Sequence, residues 1–245
     1  MDPLEADIAA LKAELDRLRP LSGGALEAVR AHFDVELTWS SNAIEGNTLT
    51  LRETAEVIEH GITVGGKSLR DHLEAVDHHD ALRWMHDLAS TAQPLGEAVV
   101  CELHRRIVLR SRPSIAGQYS RHPRRIAGSP VVFPNPAKIP DLMDAFGTWL
   151  AAAPPGPATA FEAHFRLTAI HPFGDGNGRT ARLLMNLVLL RSGFPPVAVR
   201  PEDRLLYLDA LERGSLTGDL GPFLDFLRGR LRDTLERYVA ILREI

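Results

Sequence analysis

A single cysteine, Cys101, occurs in the 245 residues, which excludes an internal disulfide framework and fits a reducing compartment. It sits in the apolar run Val99-Val100-Cys101, with Leu103 beyond; a buried, inert thiol is expected there rather than a nucleophile. No run of about eighteen apolar residues exists, so no membrane-spanning helix is expected. The first residues are acidic and amphipathic, not basic and then apolar, and a secretory leader is not expected either. A soluble, cytoplasmic protein is the resulting expectation. Basic residues are not collected in one patch, and the net charge is −4 with a pI near 6.2; nucleic acid is therefore not an evident partner. Internal repeats and low-complexity tracts are also missing. What the chain does have is apolar content, 44%, enough for one large core or two modest ones.

The densest chemistry lies in His171-Pro172-Phe173-Gly174-Asp175-Gly176-Asn177-Gly178-Arg179-Thr180-Ala181-Arg182. Phe161 to Ile170 is apolar at helical spacing, and Leu183 to Leu190 reads as a buried helix. The stretch between them predicts a tight loop closing one helix and opening another at about Asn177 or Gly178. Gly176 and Gly178 let the backbone approach a ligand closely. Unpaired N–H groups and the positive dipole end at a helix start favour an anion. Arg179 and Arg182 lie one turn apart on one face. Cations there oppose the helix dipole, so an anionic ligand such as polyphosphate is implied. His171 can accept a proton near neutral pH, and Asp175 with phosphate oxygens can hold Mg²⁺ (or Mn²⁺).

This segment matches without a gap the signature His-Pro-Phe-x-Asp/Glu-Gly-Asn-Gly-Arg-x-x-Arg, and the chain from about Leu11 onward resembles the Fic domain family. Members mostly transfer AMP from ATP to a protein hydroxyl. The resemblance implies His171 as general base, Asp175 as metal ligand, Gly176, Asn177 and Gly178 at the phosphates, and Arg179 and Arg182 gripping them. It implies an all-α fold with one small β-hairpin flap. Residues 1–90 would form an N-terminal helical region, and 91–245 the catalytic domain, with a flap at about 119–133 and the loop at 171–182. Alternatives remain: an AMP-removing hydrolase, a transferase using another donor nucleotide, or a non-catalytic ATP-binding regulatory module.

In chain order, Leu4, Ile8, Leu11, Leu15 and Leu18 form a narrow helical seam stopped by Pro20. It suits packing on the body, or a homodimer contact. Ser22-Gly23-Gly24 reads as a turn, and a helix is expected from about Ala25 to Trp39. Gly46 is a candidate left-handed helix end, and Thr50 with Glu53 a candidate capping box. By resemblance, Ser41, Glu45 and Gly46 match the inhibitory Ser/Thr-x-x-x-Glu-Gly/Asn motif (about 38–47), whose glutamate would pair with Arg182 and displace the γ-phosphate. An arginine–carboxylate pair in a partly desolvated pocket is strong and directional.

Thr50–His60, Leu69–Ala89 and about Gly96–Arg110 read as helices. His72, His78, His79 and His86 are expected on a solvated helix face, because no metal-binding pattern frames them. His104 is expected to be a structural, hydrogen-bonding histidine. Arg125 to Phe133 reads as two short strands about a Gly-Ser turn. By resemblance this hairpin would hold the target protein as an added strand. Ser120 follows Tyr119 where many relatives have arginine, and Arg121, Arg124 and Arg125 crowd the region instead. Lys138 to Ala152 is amphipathic and then breaks at Pro154-Pro155. Pro201 is expected to start a helix carrying Tyr207, Leu211 and Ser215 on one face; by resemblance Tyr207 and Leu211 would flank the adenine. Phe223 to Ile245 reads as a long amphipathic helix.

Overall fold

The computed structural model describes residues 2–20, 23–126 and 128–244, and within them the fold is built from helices. The first, α1 (Pro3–Arg17), starts where the Asp2 carboxylate accepts from the Leu4 N–H at 3.2 Å, and stops short of Pro20. Its seam packs on the body: Ile8 and Leu15 are buried, and α1 lies along the last helix, α10 (Gly221–Glu244). The second, α2 (Gly23–Ile44), is longer than expected at both ends. Ser22 of the expected turn lies outside the described residues, and Gly23 and Gly24 already belong to α2. Past its end at Ile44 the chain turns at Gly46, whose φ of 95° suits only glycine without strain.

The capping box at Thr50 forms with Glu53 and opens α3 (Leu51–His60), which closes on left-handed Gly61. Ser68 caps α4 (Leu69–Ala89), and α5 follows at Glu97–Ile107. Next come α6 (Ile139–Ala152), α7 (Pro157–Ile170), α8 (Asn177–Arg191) and α9 (Arg204–Thr217). One hydrophobic cluster runs from Ile8 to Leu242. At its centre α8 is buried on nearly every face, from Arg179 to Leu189, between α4, α5 and α7. Among the described residues no helix is long and apolar enough to cross a membrane.

Two expectations fail. The hairpin at 125–133 does not form: among the described residues the one β-bridge pairs Tyr119 with Phe173. Ala127 lies outside the described residues. The turn itself is present, with Gly128 at φ 82° and the Ser129 N–H on the Ile126 carbonyl at 3.1 Å. No ladder extends from it, because Pro123, Pro130 and Pro134 lack donors and a two-stranded ribbon alone is marginal in water. The second failure is on α4, where His72, His78 and His86 are buried rather than solvated. The helix is enclosed by α2, α3, α5 and α8, so little solvent face remains. His72 is bonded at both ring nitrogens, to the Ser68 carbonyl and the Val64 N–H, and His86 pairs with Asp34 at 3.0 Å. Polar groups can be buried when such partners exist. Cys101 is only half buried, with its sulfur 3.4 Å from the Tyr119 hydroxyl, and burial pushes its thiol pKa up.

Candidate active site

Helix α7 ends on His171, which takes a left-handed conformation (φ 53°, ψ 54°) and returns its N–H to the Leu167 carbonyl at 3.0 Å. It is the one non-glycine residue at positive φ among the described residues. Strain of this kind costs of order 1–3 kcal/mol and gathers at functional sites. Here it turns the chain sharply and aims the imidazole into a cavity. The Thr168 carbonyl, 3.4 Å from Nδ1, can only accept, so it favours the proton on Nδ1 and leaves Nε2 as a base. The ring stacks on Phe133 at 4.0 Å. Burial lowers the His171 pKa and Arg124 adds to this, against the pull of the Thr168 carbonyl, Glu45 and Asp175.

The loop after His171 is rigidly held. Phe173 is fully buried and stacks on His104 at 3.7 Å. His104 takes the Gly117 N–H on Nδ1 and reaches the Asp175 carbonyl with Nε2, both at 3.0 Å. It is the structural histidine expected. Asn177 closes the loop from the other side, exchanging two bonds of 2.9 Å with the Phe173 backbone. Its side-chain amide is engaged there. Gly176, the residue before α8, has φ 76°, and a Cβ there would meet Val108 at 3.2 Å.

The two arginines are deeply buried, and internal anions answer them. Arg182 donates from Nε to the Ser41 hydroxyl (3.0 Å) and from Nη2 to the Ser41 carbonyl (2.9 Å). The same Nη2 meets Glu45 Oε1 at 2.7 Å. Its Nη1 reaches the Tyr207 hydroxyl at 3.3 Å, and that hydroxyl meets His164 Nε2 at 2.9 Å. Since Arg182 only donates, the tyrosine proton points to His164. Burial and the nearby Arg182 hold the His164 pKa near 3, so it stays neutral. Burial opposes the Arg182 charge, but Tyr207 and Glu45 outweigh it and keep the guanidinium protonated. Glu45 lies directly over Gly178: a Cβ at 178 would clash with its Oε1.

Arg179 is held more loosely. Its contacts to Asn42 (3.4 Å), Glu74 (3.6 Å) and Asp175 (3.4 Å) are long, and its buried Nε has no partner. Asp175 faces Arg112 at 2.7 Å and Arg70 at 3.4 Å, and accepts the Gly176 N–H. Burial raises its pKa, but Arg179, the Gly176 N–H, Arg112 and Arg70 outweigh that and leave it lowered. Among the described residues no three His, Cys, Asp or Glu side chains converge as an all-protein metal site. Asp175 alone suits a cation that arrives with its other oxygen ligands.

Glu45, His171, Gly178, Arg182, Tyr207 and Leu211 all border one cavity of about 280 Å³, roofed by Ile126, Val131 and Phe133. This is small for a nucleotide, since ligand pockets span about 300–1,000 Å³. Sequence reasoning missed Arg70, Arg112, Glu74, Asn42, His164 and Arg204, which no local pattern marks. Arg204 donates to the Ile44 carbonyl at 2.8 Å, and Asp77 pins the turn bearing Arg112 through the N–H groups of Arg110 and Ser111.

A family model described as Fic/DOC family matches residues 94–189. The chain is 36% identical over 232 residues to "Protein adenylyltransferase Fic" of Nematostella vectensis, covering 92% of this chain and 54% of that protein. It is 33% identical over 243 residues to the protein of that name in Drosophila melanogaster, covering 96% and 48%. The chain thus spans about half the length of the curated relatives it matches. Fic-1 from C. elegans has a solved structure that superposes with a TM-score of 0.85 at 32% identity, covering 97% of this chain and 71% of that one. A Fic domain containing signaling protein from Bacteroides thetaiotaomicron superposes at 0.88 with 29% identity, covering 97% of each.

Proposed function

The chain belongs to the Fic/DOC family, and on that premise we propose that it is a protein adenylyltransferase, moving AMP from ATP to a hydroxyl of a target protein. The observation that carries this reading is the start of α8, where Gly178, buried Arg182 and the unprotonated Nε2 of His171 border one cavity, and Arg179 is buried beside them outside its lining. Arg179, with donor capacity unused, and Arg182 would bind the phosphates. The N–H groups of Asn177, Gly178 and Arg179 would add to them. His171 would take the proton of a target Ser, Thr or Tyr hydroxyl as that oxygen attacks the α-phosphorus and pyrophosphate leaves. Asp175 would hold Mg²⁺ or Mn²⁺, which neutralises phosphate charge when bound. Tyr207 and Leu211 would border the adenine. The segment after Tyr119 would receive the target.

In this state Glu45 takes the Arg182 donor that a terminal phosphate would use, and it covers Gly178. The enzyme would therefore be held off until α2 withdraws. A second reading, removal of AMP from a modified protein, is supported by the fact that Glu45 and His171 line one cavity, where a carboxylate could orient a water. The test is labelling of protein with α-phosphate-labelled ATP and Mg²⁺. Label incorporated by Glu45→Gly, weakly by the native chain, and not by Glu45→Gly/His171→Ala is the expected outcome. Label retained without His171 overturns its assignment as base. No label in any variant, with release of AMP from a modified substrate by the native chain, establishes the second reading.

A further inference from the structure

We infer that the target segment accepted at this site is acidic, its carboxylates docking on Arg121, Arg124 and Arg125 beside the modified hydroxyl. The inference rests on the transferase reading for its biological meaning, but its geometry stands apart from it. The chain carries a net charge of −4, yet residues 119–133 contain three arginines and a histidine and no carboxylate. Around the same mouth Arg70, Arg112, Arg179 and Arg182 each face an internal carboxylate. Among the described residues Arg121, Arg124 and Arg125 face none.

Their placement is also specific. Arg124 donates to Ser120 Oγ at 2.9 Å and lies over the catalytic loop, its Nη2 2.8 Å from where a Cβ on Gly174 would stand. Ser120, in turn, is tied to the loop through its N–H on the Pro172 carbonyl at 2.8 Å. Arg121 borders an open depression of about 460 Å³ with Gln118, Pro136 and Ala137, outside the cavity that contains Arg182. Arg125 is exposed on the same segment. These cations thus lie on a segment tied to the catalytic loop, and none of them borders the cavity that contains Arg182. Guanidinium forks match carboxylates in geometry and bind them by charge-assisted bonds. A positive strip on an acidic molecule also steers acidic segments to it and repels basic ones.

The experiment measures binding apart from catalysis. Fluorescein-labelled threonine peptides flanked by Asp and Glu, or by Asn and Gln, are titrated with the full chain carrying Glu45→Gly and followed by anisotropy. The acidic peptide should bind about tenfold more tightly at low salt, and high salt should erase the difference. The double variant Arg121→Glu/Arg125→Glu should remove the preference while leaving ATP binding intact. Equal affinities, or a preference unchanged in the double variant, overturn the inference. So does tighter binding of a single-stranded RNA of the same charge. AMP transfer is recorded in parallel: acidic preference without transfer to any peptide upholds the docking strip and counts against the transferase reading alone.

Discussion

At the scale of single residues, protonation decides what His171 can do. Burial is the main reason its pKa is lowered, so the imidazole is neutral at pH 7 and remains so somewhat below the ordinary value near 6.5. The acid limb of kcat/KM should therefore fall below pH 6.5. In Glu45→Gly it should lie lower still, because Glu45 is among the groups that raise this pKa. A pH profile of AMP transfer in wild type and variant checks both signs. On the proposed function Arg182 would have two opposed roles, since it meets Glu45 here and would meet phosphate in the active state. Arg182→Ala should weaken ATP binding by roughly 1.5–3 kcal/mol, the worth of a hydrogen bond to a charged group, measured by calorimetry. It should also free Glu45, so the added effect of Glu45→Gly should vanish in that background.

The element that matters most is the end of α2. The last four carbonyls of a helix lack intrahelical donors, and here each finds one. Ser41 is met by Arg182, Asn42 by the N–H groups of Glu45 and Asn47, Ala43 by that of Gly46, and Ile44 by Arg204. Two of the four carbonyls are thus met by cations from the helices that border the cavity, and cations suit the negative end of a helix dipole. Arg204 plays no part in the proposed chemistry, so it isolates the clamp from the catalyst. Arg204→Ala should loosen the last turn of α2 by about 1 kcal/mol. Hydrogen exchange at Ala43–Gly46 should quicken about fivefold, and basal labelling should rise while labelling of Glu45→Gly stays unchanged. Unaltered exchange would show that Ser41, Glu45 and Arg182 hold the helix without it.

For the whole molecule, buried neutral histidines set the response to acid. Burial holds His104 near pKa 4 and His164 near 3, and lowers His78 with help from Arg182 and Arg179. Below about pH 6.5 the unfolded chain binds protons that these native histidines refuse. Stability should therefore be level above that pH and decline from about 6.5 down through 4. Urea denaturation at stepped pH measures this. Carboxylates do not titrate in the upper part of that window, so His78→Gln, if it folds, should flatten the slope between pH 6.5 and 5.

What is settled within a few residues could be read from the chain alone: the capping box at Thr50, the glycine turn at 46, the start of α8 at Asn177, and the seam of α1. Each depends on a local backbone preference or a repeating apolar face. The motif from His171 to Arg182 was legible for the same reason, since its loop and helix start are contiguous. Packing between distant segments leaves α4 little free face and buries three of its histidines, and it brings Arg70 and Arg112 together on Asp175. It also leaves the described residues of 125–133 outside any ladder, and sets Arg204 and Arg182 on the end of α2. These are pairings between distant segments, fixed by how helices pack and by which buried charge needs a partner; no short stretch of chain contains that information.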